Sequence, residues 1–278
     1  MDNFRLRMVF LGLVLGVLIA VVVASQGCST THHRRTFHGG TAPAHRPVRV
    51  AAVAREHFRP RVRRAFDANG PFFGYRRGRM SRVDAPRERR EVALTFDDGP
   101  GPFTLPLLHE LRRLHARATF FVVGSMAAIR PSVVRAERRA GMEIGNHTWS
   151  HASMTSLTPR AQRLEVERTN LLLRRLTGRR PRFFRPPDWH ADARTARVVT
   201  RERMVGVLRT IDTRDWTLPG VRTIVRRALS VRPGGIVAMH DAGGFTRAQT
   251  VAAVPHIVRG LRRRHLRLVT LATLFDGR

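Results

Sequence analysis

The chain has 278 residues, long enough for one large domain or two small ones with a real hydrophobic core. Its formal net charge is +31, and because lysine is absent all 51 basic residues are arginine. Such a charge draws a protein towards polyanions (anionic headgroups, acidic wall polymers, nucleic acid) and is silent on fold. The single cysteine, Cys28, excludes an intrachain disulfide.

Arg5 and Arg7 precede an unbroken apolar run over residues 8–24, and small residues follow at 25–28. A basic start, an apolar centre and a small-residue end are the parts of an export signal. The run is a little short of the ~20 residues of a spanning helix. Residues 1–28 are therefore read as a signal peptide or a membrane anchor, with lipidation at Cys28 as a third route to the membrane. The remainder is expected to work outside the cytoplasm.

Residues 29–90 are rich in Arg, His, Pro and Gly and poor in apolar periodicity. That composition cannot bury enough surface to offset its ordering entropy, so a basic, mostly disordered linker is expected. The arginines are spread along the chain without a stacking platform or a nucleic-acid motif, and no specific nucleic acid is expected as partner.

From residue 91 to 278 the pattern alternates. Strands are predicted at 92–96, 118–123, 143–146, 183–185, 204–208, 235–239 and 267–271. Helices fall between them, at 105–115, 131–140, 159–176, 192–202, 221–230 and 246–263. In the longest helix Leu164, Leu171, Leu172 and Leu176 form the expected buried stripe. Alternating units with short connections predict an α/β fold with a parallel sheet covered by helices. About seven such units favour a distorted (β/α) barrel over an open sheet, with functional groups at the C-terminal strand ends.

That is where the polar residues lie. The first strand ends on Asp97 and Asp98, two acids that are costly to bury unless paired or bound to a cation. The third ends on HTWSH, with His147 and His151 four apart, a spacing that places both imidazoles on one helical face or turn and suits a metal. RPPDW follows the fourth (Arg185, Pro187, Asp188, Trp189), DTRDW the fifth (Asp215, Trp216), and His240-Asp241 the sixth. His109, His115, His190, His256 and His265 are read as ordinary surface or core residues.

TFDDGP, HTWSH, RPP, DTRDW and the closing His-Asp, in this order, resemble the five motifs of the NodB-type polysaccharide deacetylases, the family-four carbohydrate esterases. The resemblance implies that Asp98, His147 and His151 hold a divalent metal, usually Zn2+. It implies Asp97 as general base with Arg185 as its ionic partner, and His240 as general acid oriented by Asp215. Trp216 would wall the acetyl pocket, with Pro187 and Asp188 beside the substrate and the Asp188 backbone N–H facing the oxyanion. The implied reaction is hydrolysis of N-acetyl groups from a cell-envelope polysaccharide, most naturally peptidoglycan N-acetylglucosamine. Chitin-like glycans and a catalytically impaired glycan-binding module are the alternatives. Two departures from the family pattern stand out. Asp188-Trp189 replaces an aromatic residue followed by Gly, where a turn needing positive φ would strain Trp189. Ala238 replaces a Leu and is expected to reshape the acetyl pocket.

Overall fold

The computed structural model describes residues 72–76, 79–85 and 88–276. The expected export segment at 1–28, and the expected linker up to residue 71, lie outside the described residues. Ten strands form one sheet: β1 Phe72–Arg76, β2 Arg79–Val83, β3 Glu91–Asp97, β4 Thr119–Val122, β5 Glu143–Asn146, β6 Phe183–Phe184, β7 Val205–Val207, β8 Ile211–Asp212, β9 Ile236–His240 and β10 Arg267–Val269. Their order is β2-β1-β7-β6-β5-β4-β3-β9-β8, and β10 pairs with the first half of β3. All pairings among β3 to β10 are parallel, so the sheet is the distorted, open (β/α) barrel expected from the alternating pattern.

The helices are α1 Thr104–Arg113, α2 Gly124–Ile129, α3 Pro131–Arg139, α4 Pro159–Thr177, α5 Ala193–Arg201, α6 Val221–Leu229, α7 Ala248–Arg263 and α8 Leu271–Asp276. α1, α3, α4, α6 and α7 contribute to the core on one face of the sheet and α8 packs on the other, and strand alternation decides what each face receives. Val92, Leu94 and Phe96 of β3, Phe120 and Val122 of β4, and Val237 and Met239 of β9 pack with Leu107, Leu111, Val254 and Ile257 into the main core. The residues between them, Ala93, Phe121, Phe183 and Ile236, belong to a second cluster on the inner side. Asp97, Arg185 and His240 continue this inner parity at the C-terminal ends. Register puts Asp97 level with His240 on one side and with Phe121 on the other.

The sheet begins at Phe72, not at Glu91, so residues 72–76 and 79–83 are strands within the segment read as a mostly disordered linker. β1 and β2 form an antiparallel hairpin, and β1 pairs antiparallel with β7. Phe72 is fully buried, with its ring 4.9 Å from that of Phe275 in an edge contact. Phe73 fills the space left by Gly206, where a Cβ would collide with the ring. Burying a side chain of this size contributes about 1.5–3 kcal/mol, which sets these few residues apart from their arginine-rich surroundings.

The α4 stripe needs correcting. Leu164 and Leu171 are exposed and Leu172 and Leu176 only partly buried; Gln162, Val166, Thr169, Asn170 and Leu173 face inward. The polar members are drawn in by hydrogen bonds. Gln162 donates to the Met154 carbonyl, and Asn170 accepts from Asn146. Three short elements were not expected: α2, β8 and α8, the last beginning at Leu271 where the predicted final strand was to end.

Candidate active site

A cleft of about 620 Å³ opens at the C-terminal rim of the sheet, lined by Asp97, Asp98, His147, His151, Pro186, Asp188, Trp189, Arg209, Asp212, Arg214, Trp216 and His240. Of the residues singled out in the sequence, Asp97, Asp98, His147, His151, Asp188, Trp216 and His240 meet here. Arg185 and Asp215 lie directly behind them, fully buried. Pro187 is buried and does not line the cleft; Pro186 does. Ala238 is likewise fully buried and outside the lining. None of the five other histidines set aside above lines the cleft.

Asp98, His147 and His151 bring one ligand atom each within 4.8 Å of the others. The two histidines sit in a loop after β5, not on a helix, and Thr148 and His151 take left-handed φ values of 67° and 60°. Asn146 Oδ1 accepts the Thr148 N–H at 2.8 Å, which starts the bend. His147 Nδ1 donates to the Arg185 carbonyl at 2.8 Å, leaving the lone pair of Nε2 facing Asp98 Oδ1 at 3.4 Å. His151 Nε2 approaches the same oxygen at 3.1 Å.

Asp98 Oδ1 is buried without a hydrogen-bond partner. Two nitrogens and a carboxylate oxygen aimed at one point, with one oxygen otherwise orphaned, are a donor set that fits a divalent cation with open positions. Burial works against an ionised Asp98, but the two imidazoles beside it hold its carboxyl far below the usual range. Asp98 in turn raises the His151 pKa against the effect of burial, so protons compete with a cation for that nitrogen. Gly243, at φ 68°, lets its loop pass over this group; a Cβ there would collide with the Asp98 carboxylate.

Glu165 of α4 was not anticipated from sequence. Its Oε2 accepts the N–H groups of Trp149 and Ser150, both at 2.8 Å, and its Oε1 the Ser150 hydroxyl at 2.9 Å. These bonds fix the loop that presents His151. Glu165→Ala is expected to weaken divalent-metal affinity by about 10–100-fold, the range for losing a group that orients a ligand, while the fold persists. Competition of the metal-free protein against a fluorescent chelator measures this, and an unchanged affinity would refute it.

The second group is Asp97 with Arg185. The buried Arg185 guanidinium donates to Asp97 Oδ1 and to Thr95 Oγ1, each at 2.7 Å, and lies 4.1 Å from the centre of the Phe121 ring. The third is His240 with Asp215. His240 Nδ1 meets Asp215 Oδ1 at 2.8 Å, and the His240 backbone N–H donates to Oδ2 at 2.9 Å. Thr250 of α7 and Thr213 donate hydroxyls to the same carboxylate at 2.6 and 3.3 Å. Burial opposes a charged His240, but the hydrogen bond and charge of Asp215, helped by Asp97 and Asp98, outweigh it and push the pKa up to about 9.

Asp241 is fully buried behind this rim. Its N–H donates to the Asp97 carbonyl at 3.2 Å, and its carboxylate accepts the Thr104 hydroxyl. A Cβ on Gly99 would collide with that carboxylate, which explains the glycine after the acid pair. Burial pushes the Asp241 pKa up to about 7, with Asp98 and Asp97 adding to the rise and Thr104 opposing it.

The Asp188-Trp189 turn carries the positive φ expected of it, 54° and 64°. The Arg209 guanidinium lies 4.2 Å from the centre of the Trp189 ring, a cation–π contact that offsets part of the strain. The Asp188 backbone N–H donates to no other group among the described residues and borders the cleft.

Residues 84–205 match the family described as Polysaccharide deacetylase. A peptidoglycan-N-acetylglucosamine deacetylase of Bacillus cereus is 33% identical over 193 residues, covering 69% of this chain and 70% of that protein. A chitooligosaccharide deacetylase of Bradyrhizobium sp. is 34% identical over 200 residues, covering 66% of this chain and 90% of that protein. Among solved structures, the Bc1960 peptidoglycan N-acetylglucosamine deacetylase in complex with 4-naphthalen-1-yl-N-oxidanyl-benzamide matches with a TM-score of 0.68 and 33% identity, covering 69% of this chain and 91% of that one.

Proposed function

Since the chain belongs to the polysaccharide deacetylase family, the NodB-type carbohydrate esterases of family four, we propose that it hydrolyses the N-acetyl groups of peptidoglycan N-acetylglucosamine outside the cytoplasm. The observation that carries this reading is the convergence of Asp98, His147 and His151 with Asp97–Arg185 and His240–Asp215 around one cleft. The named relatives that act on peptidoglycan and on chitooligosaccharides support the reaction class, and the apolar run at 8–24 supports export or attachment to the membrane.

Asp98, His147 and His151 would hold the metal, and we assign zinc to it. When bound, such an ion polarises an acyl oxygen and lowers the pKa of water towards ~7. Asp97 has one oxygen tied to Arg185, which leaves the other to take the proton of the water attacking the acetyl carbon. The free N–H of Asp188 is available to the developing oxyanion. As the C–N bond breaks, His240 gives its Nε2 proton to the departing amine, while Asp215 holds Nδ1 and fixes the ring. Acetate and a glucosamine amine are the products. Trp216, half exposed at the rim, offers the face against which the sugar and its acetyl group rest.

Acetate release from purified peptidoglycan tests this directly. The full-length protein with Zn2+ is expected to release acetate, chelation to stop it, and Asp97→Asn to remain at the background rate. Release that is the same with Asp97→Asn would refute the assignment.

A further inference from the structure

The cleft holds a cation that the reaction does not use. Arg185 is matched by Asp97 at 2.7 Å, and Arg209 by Asp212 at 3.2 Å. Arg214 lines the same cleft, is exposed, and has no ion-pair partner among the described residues. Its backbone is fixed in a left-handed conformation, φ 50°. The N–H donates to Asp212 Oδ1 at 2.8 Å, and the carbonyl accepts the Thr217 N–H at 3.1 Å and hydroxyl at 2.9 Å. A left-handed non-glycine residue costs free energy, and such residues concentrate where a side chain must be aimed. Here the aimed side chain stands 5.9 Å from the centre of the half-exposed Trp216 ring, one residue before the Asp215 that orients His240.

We propose that Arg214 is a specificity residue that binds a carboxylate carried by the glycan beside the acetamido sugar being hydrolysed. The inference rests on the deacetylase reading above and deepens it by naming the substrate class as an anionic glycan. A sugar resting on Trp216 brings the substituents of its neighbour to the guanidinium, whose planar fork suits a carboxylate. Peptidoglycan supplies such a group in two forms. Strands freed of peptide carry the lactyl carboxylate of muramic acid, and peptide-bearing strands carry the carboxylates of the stem. Chitin oligomers carry neither. The general arginine excess of the chain does not account for the arrangement, because Arg209 at this cleft and Arg185 behind it face acids and Arg214 does not.

The test compares kcat/KM for acetate release from three substrates: peptide-free strands, peptide-bearing strands and N-acetylglucosamine oligomers. Each anionic strand is also assayed with its carboxylates amidated. Wild-type enzyme is expected to prefer one anionic strand to the neutral oligomer through a lower KM, and to lose that preference on amidation. Arg214→Gln lowers the preference about tenfold, the scale of one charge-assisted hydrogen bond in a partly solvated cleft, and Arg214→Lys keeps part of it. The strand that shows the arginine-dependent preference identifies the source of the carboxylate. A preference unmoved by both the substitution and the amidation overturns the subsite and leaves the deacetylase reading standing. Wild-type enzyme that releases no acetate from any of the three overturns the deacetylase reading first.

Discussion

Replacing Arg185 by methionine will destabilise the metal-free protein by about 3–5 kcal/mol, the cost of leaving one member of a buried ion pair without the other. Arg185 is fully buried, and its Nη1 alone serves both the Asp97 carboxylate and the Thr95 hydroxyl. Methionine keeps much of the volume against Phe121, so the loss isolates the charge. Asp97 then faces a low-dielectric interior with no nearby guanidinium, and the change is felt along the rim that also carries Asp98. The measurement belongs in chelator, since a bound divalent ion would supply part of the missing positive charge. Asp97→Asn combined with Arg185→Met should recover a large share of the lost stability, because no buried charge is then left alone. Arg185→Lys should not restore the wild type, since a point charge cannot reproduce the guanidinium contacts. Denaturation midpoints for the four proteins decide the matter. A single Arg185→Met variant within about 0.5 kcal/mol of wild type, the ordinary spread of surface substitutions, would sink it.

Much of this architecture can be read from the amino-acid order because the strands that matter are buried on both faces. Such strands appear as short, nearly continuous apolar runs, and β3 is one: Val92, Ala93, Leu94 and Phe96 are all fully buried. Once the runs are placed, alternation sends Asp97, Arg185 and His240 to the inner side, and the chemistry follows at the strand ends. What is hidden is whatever depends on partners distant in sequence. Thr250 meets Asp215 from 35 residues away, and Glu165 meets the loop of His151 from another element. No periodicity marks either residue. The β1–β2 hairpin is hidden differently, since Phe72 and Phe73 are surrounded by arginines that dominate any average over the segment. In α4 the leucine count misled because Asn170 and Gln162 find internal hydrogen bonds that a hydropathy pattern cannot foresee.

Trp189 illustrates a local rule that survives at a cost. The turn after β6 takes positive φ at two successive non-glycine residues, and a departure at this point was legible as strain. What sequence does not disclose is the compensation: Arg209, from the segment between β7 and β8, covers the Trp189 ring. The same contact ties the loop after β6 to the segment before β8. The segment that carries Arg209 runs from β7, the neighbour of β6, to β8 at the far end of the strand order, so the contact braces the loop after β6 against the stretch of chain that crosses between the two.

The other large effect is expected at His240. With Asp215 in place its pKa is pushed up to about 9, because the hydrogen bond and charge of that carboxylate outweigh the burial that favours a neutral ring. If the protonated imidazole delivers the proton to the departing amine, turnover should persist through neutral pH and fall as the pH rises through about 9. Asp215→Asn removes the charge while keeping an acceptor near Nδ1. Burial then dominates, the folded-state pKa drops, and the alkaline limb of the kcat profile moves to lower pH. At neutral pH, kcat should fall by about 10²–10⁴-fold, the range for losing general acid–base assistance. Thr250→Val, which removes the 2.6 Å bond to Asp215 but not its charge, should shift the limb less. Stability carries the same sign. A His whose folded pKa is raised contributes fully below its unfolded value near 6.5 and loses the contribution as pH rises through 9. Asp215, whose pKa is lowered on balance although burial opposes this, contributes above the ordinary carboxylate range and loses it as the solution is acidified. Asp215→Asn should therefore cost the most stability between those limits and less above pH 9, where the hydrogen bonds to the carboxylate from the Thr250 hydroxyl and the His240 backbone N–H remain. An alkaline limb that stays in place in Asp215→Asn would remove His240 from the role of proton donor.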